Sequence, residues 1–169
     1  MIYKFEKFNP KISKGSYIHN SAQIIGKVKI EKKVSIWPNV VIRGDVDEIV
    51  IKEGTNVQDN SVLHPNKNRP VIVGKGVTIG HSAIIHGSKI GKNCLIGMGA
   101  IVMDSEIGEY SIIGAGCLIT QNSKIPPYSL VMGLPYKIIR KLKKEEIKYL
   151  KKSESTYIKL AQKFQLENF

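Results

Sequence analysis

The sequence predicts a mainly β protein: about seven triangular coils of short parallel strands, followed by a C-terminal α-helix. Three observations carry that expectation. Aliphatic residues recur at intervals of six through most of the 169 residues. A small or compact residue follows most of them by four positions. The last fifth of the chain abandons the period of six for the three-to-four spacing of an amphipathic helix.

The period opens at Ile12 and runs through Ile18, Ile24, Ile30, Ile36 and Ile42. After an irregular stretch it resumes at Ile51, Val57 and Leu63, and again at Val73, Ile79 and Ile85. It continues through Ile90, Ile96, Val102, Ile107, Ile113, Ile119, Ile125 and Val131, and twenty hexads fit the frame. Ala22, Val34, Val77, Ala83, Cys94, Ala100, Ser111 and Cys117 are among the small residues four positions on. Strand side chains alternate between faces, so residues two apart point inward together. Glycines such as Gly26, Gly74, Gly80, Gly91, Gly97, Gly108 and Gly114 stand where the chain must turn. Three hexads, roughly 18 residues, close one coil, and stacking the coils buries a column of Ile and Val.

The hexad fails between Leu63 and Val73, where His64 to Pro70 (HPNKNRP) reads as a loop projecting from one corner. Pro126, Pro127 and Pro135 mark the end of the stack. From about Lys143, the residues Ile147, Leu150, Tyr157, Ala161 and Phe164 define the apolar stripe of the helix. The expected division is therefore a repeat domain over 1–136 and an amphipathic tail over 137–169, packed on the coils with its lysines outward. Trp37, one residue after Ile36, is expected to point outward, at a seam or under the tail; Cys94 and Cys117 are expected in the core.

Over Ile12 to about Val131 this pattern resembles the hexapeptide repeat of the left-handed parallel β-helix. The resemblance implies left-handed coils, an exception to the usual right-handed crossover; the spacing alone does not fix the hand. Acyltransferases, sugar acetyltransferases, nucleotidyltransferase tails and γ-class carbonic anhydrases share the pattern, so function must be read from other residues.

Composition excludes several classes. Lys and Arg number 26 against 14 Asp and Glu, a net charge of +12. From Lys137 onward ten basic residues face four glutamates, so half of the excess lies in the tail. No aromatic residues interleave with a basic stripe, and a solvated basic face with no nucleic-acid and no membrane partner is expected. No apolar run reaches the ~18 residues of a membrane span. Met1 to Pro10 is too polar for a secretory signal, and two cysteines make no disulfide framework, so a cytoplasmic location is expected. Gly74-Lys75-Gly76, Gly97-Met98-Gly99 and Gly114-Ala115-Gly116 lack the rest of a dinucleotide fingerprint.

The four histidines carry the chemistry. His19 lies early and alone and reads as a turn residue. His64 follows Leu63 and His86 follows Ile85, in hexads three apart, so they occupy one column on consecutive coils. Two imidazoles so placed can bring nitrogens to roughly 3.3 Å, the separation set by two bonds of about 2.0 Å to a tetrahedral metal. His81 follows Ile79 by two, one face round the triangle, and would reach such a metal from a neighbouring copy about a threefold axis. Arg43 shares the column of His64 and His86; Asp45 lies two residues on. Gln58 and Asp59 follow Val57, on the side of His81.

These residues carry a closer resemblance. Arg43-Gly44-Asp45, Asn56-Val57-Gln58-Asp59, Leu63-His64 and Gly80-His81 through His86-Gly87 are similar to the γ-class carbonic anhydrase family in its shorter bacterial form. The resemblance implies a homotrimeric lyase that interconverts carbon dioxide and bicarbonate through a metal-bound hydroxide. His64, His81 and His86 would hold zinc, or ferrous iron or cobalt(II), between subunits. It gives Gln58 the role of orienting the attacking water, places Arg43 and Asp45 beside it among the catalytic residues, and has Arg43, with Asp45 and Asp59, support the subunit interface. Archetypal members carry a proton-shuttling glutamate in the loop after the first histidine; Pro65 to Arg69 contains no carboxylate. Two other readings compete: a coenzyme A-dependent hexapeptide acyltransferase with His64 or His86 as general base, and a non-catalytic scaffold that keeps its metal as a staple.

Overall fold

The computed structural model describes residues 1–167. The hexads stack into three parallel faces. The first joins the opening halves of Gln23–Ile30 and Val41–Ile51 to Val62–His64, Ile84–His86, Ile101–Met103 and Leu118–Ile119. The second runs from Tyr17–Ile18 through Ser35–Ile36, Asn56–Val57, Thr78–Ile79, Leu95–Ile96 and Ile112–Ile113 to Ser129–Met132. The third joins Lys11–Ile12 and the closing halves of the two long strands to Val71–Val73, Lys89–Ile90, Glu106–Ile107 and Lys124–Ile125.

Register places like on like. On the first face Ile24, Ile42, Leu63, Ile85, Val102 and Ile119 pair in succession, all fully buried. Each such side chain contributes ~1.5–3 kcal/mol on burial, and the column is the core. The small residues four positions on fill the corners: Ala22, Ala83 and Ala100 are inaccessible. Cys94 is one of these, and burial pushes its thiol up to about 12; it is packing material, not a nucleophile.

Several glycines serve a different purpose from the one the spacing suggests. A Cβ at Gly97 would lie 2.5 Å from the Ala115 nitrogen, and one at Gly108 would lie 2.4 Å from that of Pro127. Glycine stands there because the next coil's backbone fills the space. Many left-handed turn positions instead belong to asparagines, among them Asn39, Asn60, Asn93 and Asn122, which tolerate that conformation.

The tail departs from a simple helical extension. Lys137–Lys141 forms a strand antiparallel to Ser129–Met132, covering the free edge that the last coil would otherwise present. The helix follows over Lys144–Leu166. Glu146 caps its first turn, accepting from the Lys143 backbone N–H (2.6 Å) and from both terminal nitrogens of Arg140 (2.8 Å each). The helix lies along the second face, toward the first coil. Ser153 meets Thr78 at 2.8 Å, Tyr157 meets Gln58, and Gln165 donates to the Ser16 carbonyl at 3.1 Å. Trp37 is buried beneath it, 5.1 Å from the Phe164 ring and 6.4 Å from that of Tyr157. Among the described residues no helix is long and apolar enough to cross a membrane.

Candidate metal centre

His64 and His86 are Cα partners in neighbouring strands of the first face, their ring centroids 5.3 Å apart. The aliphatic residue before each is fully buried, so the backbone of a packed column sets both imidazoles side by side. His81 sits on the other side of the corner, half exposed, with Nδ1 2.8 Å from Asp59 Oδ2. Among the described residues no group of three His, Cys, Asp or Glu side chains within one chain could hold a metal ion. The His19 ring bonds within its own turn, with Nδ1 2.8 Å from Ser21 Oγ.

Each of the three histidines has a carboxylate at one ring nitrogen. His64 Nε2 is 2.9 Å from Asp45 Oδ1, and the other oxygen of Asp45 accepts from Arg43 Nη1. His81 has Asp59, and His86 Nδ1 lies 3.7 Å from Asp104 Oδ1. At His64 and His81 a carboxylate within hydrogen-bond distance of one nitrogen fixes the tautomer and leaves the other as a lone-pair donor, the arrangement found around ligating imidazoles; the His86–Asp104 pair stands outside that distance. The donor set therefore fits a divalent metal of the zinc class. Arg43 reaches Asp45 within the chain, whereas Asp59 is taken by His81. Burial holds His64 below the ordinary imidazole value, with Arg43 and His86 reinforcing it against the opposing bond to Asp45; the shift favours the neutral ring that a ligand must present. Burial alone would raise Asp45, but hydrogen bonds from His64 and Arg43 outweigh it and hold the carboxyl low.

Gln58 is buried beside this site, with a fixed amide. Its Nε2 donates to Asn56 Oδ1 at 3.1 Å and to Tyr157 Oη at 2.6 Å. Both hydrogens being used, Oε1 is the acceptor end. Asn56 donates in turn to Thr78 Oγ1 at 2.9 Å, so a polar ladder beneath the helix sets the glutamine. The loop after His64 is a tight hairpin, with reciprocal Asn66–Arg69 backbone bonds, and Arg69 ties it down to the Asp104 carbonyl (2.8 Å) and Asn122 Oδ1 (2.7 Å).

The bacterial transferase hexapeptide family (six repeats) matches residues 9–44 and 87–121. A hexapeptide transferase family protein from Anaplasma phagocytophilum is 41% identical, covers 96% of this chain and 97% of its own, and superposes with a TM-score of 0.93. The chain belongs to the hexapeptide-repeat family. Its fold is that family's left-handed parallel β-helix. A Bacillus cereus structure, provisionally named an acetyltransferase, is also 41% identical over 96% of this chain and 95% of its own, with a TM-score of 0.94. Within the family, the carbonic anhydrase of Geobacillus kaustophilus is 44% identical over 88 residues, 52% of this chain and 48% of that protein. The chain thus spans about half the length of the curated relatives it matches.

The structure adds two residues to the site. Tyr157 lies 99 positions from Gln58, and nothing periodic links a tail residue to a coil. Asp104 was within reach: it follows Val102, which shares the column of Leu63 and Ile85.

Proposed function

We propose that this protein is a γ-type carbonic anhydrase that hydrates carbon dioxide reversibly to bicarbonate. In this reading the cytoplasmic enzyme is a homotrimer whose sites take His64 and His86 from one copy and His81 from the next. The observation that carries it is the side-by-side register of His64 and His86, with a separate carboxylate behind each of the three histidines. Similarity to the Geobacillus carbonic anhydrase supports it.

Zinc, ferrous iron or cobalt(II) bound there would supply Lewis acidity, lowering the pKa of bound water toward ~7. The chain's residues supply the rest. Gln58 Oε1, its amide held by Asn56 and Tyr157, accepts a hydrogen bond from the attacking water and aims its lone pair. Asp45 steadies the His64 ring and is itself anchored by Arg43. The released proton meets no carboxylate on the loop over 65–70, so it must leave to solvent buffer.

Metal per chain, measured by elemental analysis on protein purified without chelator or air, tests the proposal first. About one zinc or iron per chain, lost in His86→Ala, with carbon dioxide hydration by the intact protein, is the expected result. No metal, and none taken up on addition, overturns it. A second reading, acyl transfer from coenzyme A with a histidine base, is favoured by the transferase names of the full-length structural relatives; acetyl-coenzyme A turnover by metal-free protein would establish it.

A further inference from the structure

Asp104 is the least explained charged group in the molecule. Its side chain is 6% exposed, and it sits in the left-handed conformation (φ 43°) just after the strand Ile101–Met103, one coil beyond His86. Its backbone is fixed on both sides. The N–H donates to the His86 carbonyl at 2.7 Å, and the carbonyl accepts from Arg69 Nη1 and from the Asn122 N–H. Oδ2 accepts from Asn66 Nδ2 at 3.4 Å and Gln121 Nε2 at 3.3 Å. Oδ1 is buried with no hydrogen-bond partner. A buried acceptor left in that state costs ~1–3 kcal/mol, more when charged, so it calls for a donor.

The group facing Oδ1 is the His86 ring, whose Nδ1 lies 3.7 Å away. An approach closer by about 0.5 Å brings the pair within the ~3.2 Å limit of an N–H···O bond. The path between them is kept open by Gly87. A Cβ there would fall 2.1 Å from Asp104 Oδ1, so only glycine leaves room for the carboxylate beside the ring.

We propose that Asp104 is the positioning residue of His86: its Oδ1 accepts the Nδ1 proton, holding Nε2 as the unprotonated, ligand-presenting nitrogen. The inference rests on the reading of His86 as a metal ligand for its consequence, but not for its geometry. The Asn66 bond to Oδ2 also ties the basic hairpin after His64 to the carboxylate that sets His86, so one residue organises both.

Asp104→Asn makes a sharp test. Asn66 and Gln121 donate to the Oδ2 position, so the asparagine oxygen must sit there and its NH2 must face His86. An NH2 can only donate to Nδ1, which moves the ring proton to Nε2. Nitrogen-15 NMR of metal-free, histidine-labelled protein at pH 8 reads the tautomer directly. Nδ1–H is expected in the wild type and Nε2–H in Asp104→Asn. Zinc titration against a competing chelator should show ~10–100-fold weaker binding in Asp104→Asn. Gly87→Ala, which expels the carboxylate by contact, should weaken zinc binding similarly. An unchanged His86 tautomer, or zinc affinity within twofold of wild type in both variants, overturns the proposal. If the wild type binds no zinc, the metal reading falls by itself, and the tautomer of the metal-free protein still decides the role of Asp104.

Discussion

Tyr157→Phe removes one oxygen and tests how the helix sets the site. In the wild type both Nε2 hydrogens of Gln58 are used, one by Asn56 Oδ1 at 3.1 Å and one by Tyr157 Oη at 2.6 Å, in a residue only 5% exposed. The variant keeps the ring against Trp37, so packing is unchanged. It leaves one buried N–H unpaired, a cost of ~1–3 kcal/mol. Relief from desolvating the phenol offsets part of this, since burial is the main cause holding the Tyr157 hydroxyl above its ordinary pKa. We expect a net loss of ~1.5 kcal/mol, a fall in Tm of about 3–6 °C at fixed protein concentration. The same substitution in a Gln58→Leu background, where no amide remains to be satisfied, should cost less than ~0.5 kcal/mol. The coupling between the two sites is then ~1 kcal/mol, read from urea unfolding of all four proteins. A freed amide also no longer aims Oε1, so kcat for carbon dioxide hydration should fall about tenfold, the equivalent of ~1.4 kcal/mol. Equal costs for Tyr157→Phe in the two backgrounds would refute the reasoning, because the lost stability would then owe nothing to Gln58.

Further outcomes follow from the same geometry. Ile85→Ala empties a fully buried position between Leu63 and Val102; unfolding should show a loss of ~2–5 kcal/mol. Gly97→Ala drives a Cβ to 2.5 Å from the Ala115 nitrogen, and circular dichroism with denaturation should report coils that no longer stack, with a loss exceeding ~2 kcal/mol. Arg140 and the Lys143 N–H hold the Glu146 carboxyl down to about 2, against an ordinary 4.5. Its stabilisation is therefore complete above pH 4.5 and fades as pH falls from there toward 2. Glu146→Gln should cost ~0.5–1 kcal/mol at pH 7, the surface ion pair being solvent-screened, and should flatten that acid limb of the stability curve. With no carboxylate over 65–70, hydration turnover should rise with imidazole buffer concentration at constant pH; a rate independent of buffer would mean the chain carries its own proton relay.

The fold and half of the site were legible because a solenoid converts sequence period into spatial column. Ile85 pairs with Leu63 and Val102 for the reason that each opens the same third of a coil, and that alone carries His86 beside His64. The frame assigns a column but is silent on what arrives from outside it. It places Lys137–Lys141 after the last hexad, yet whether that segment continues the helix or covers the exposed edge depends on the unpaired backbone of Ser129–Met132, which no side-chain pattern records. Glycine shows the same division. Gly97 and Gly108 recur at the positions a turn would occupy, but their purpose is the approach of the next coil's backbone, visible only once the coils are stacked. Gln58 joins both kinds of information in one amide: Asn56, two residues earlier, takes one hydrogen by strand alternation, and Tyr157, brought 99 residues along the chain by a helix seated on Trp37, takes the other. A repeat can therefore be trusted for where a side chain of the site sits, while the direction in which it points is set by the parts of the chain that do not repeat.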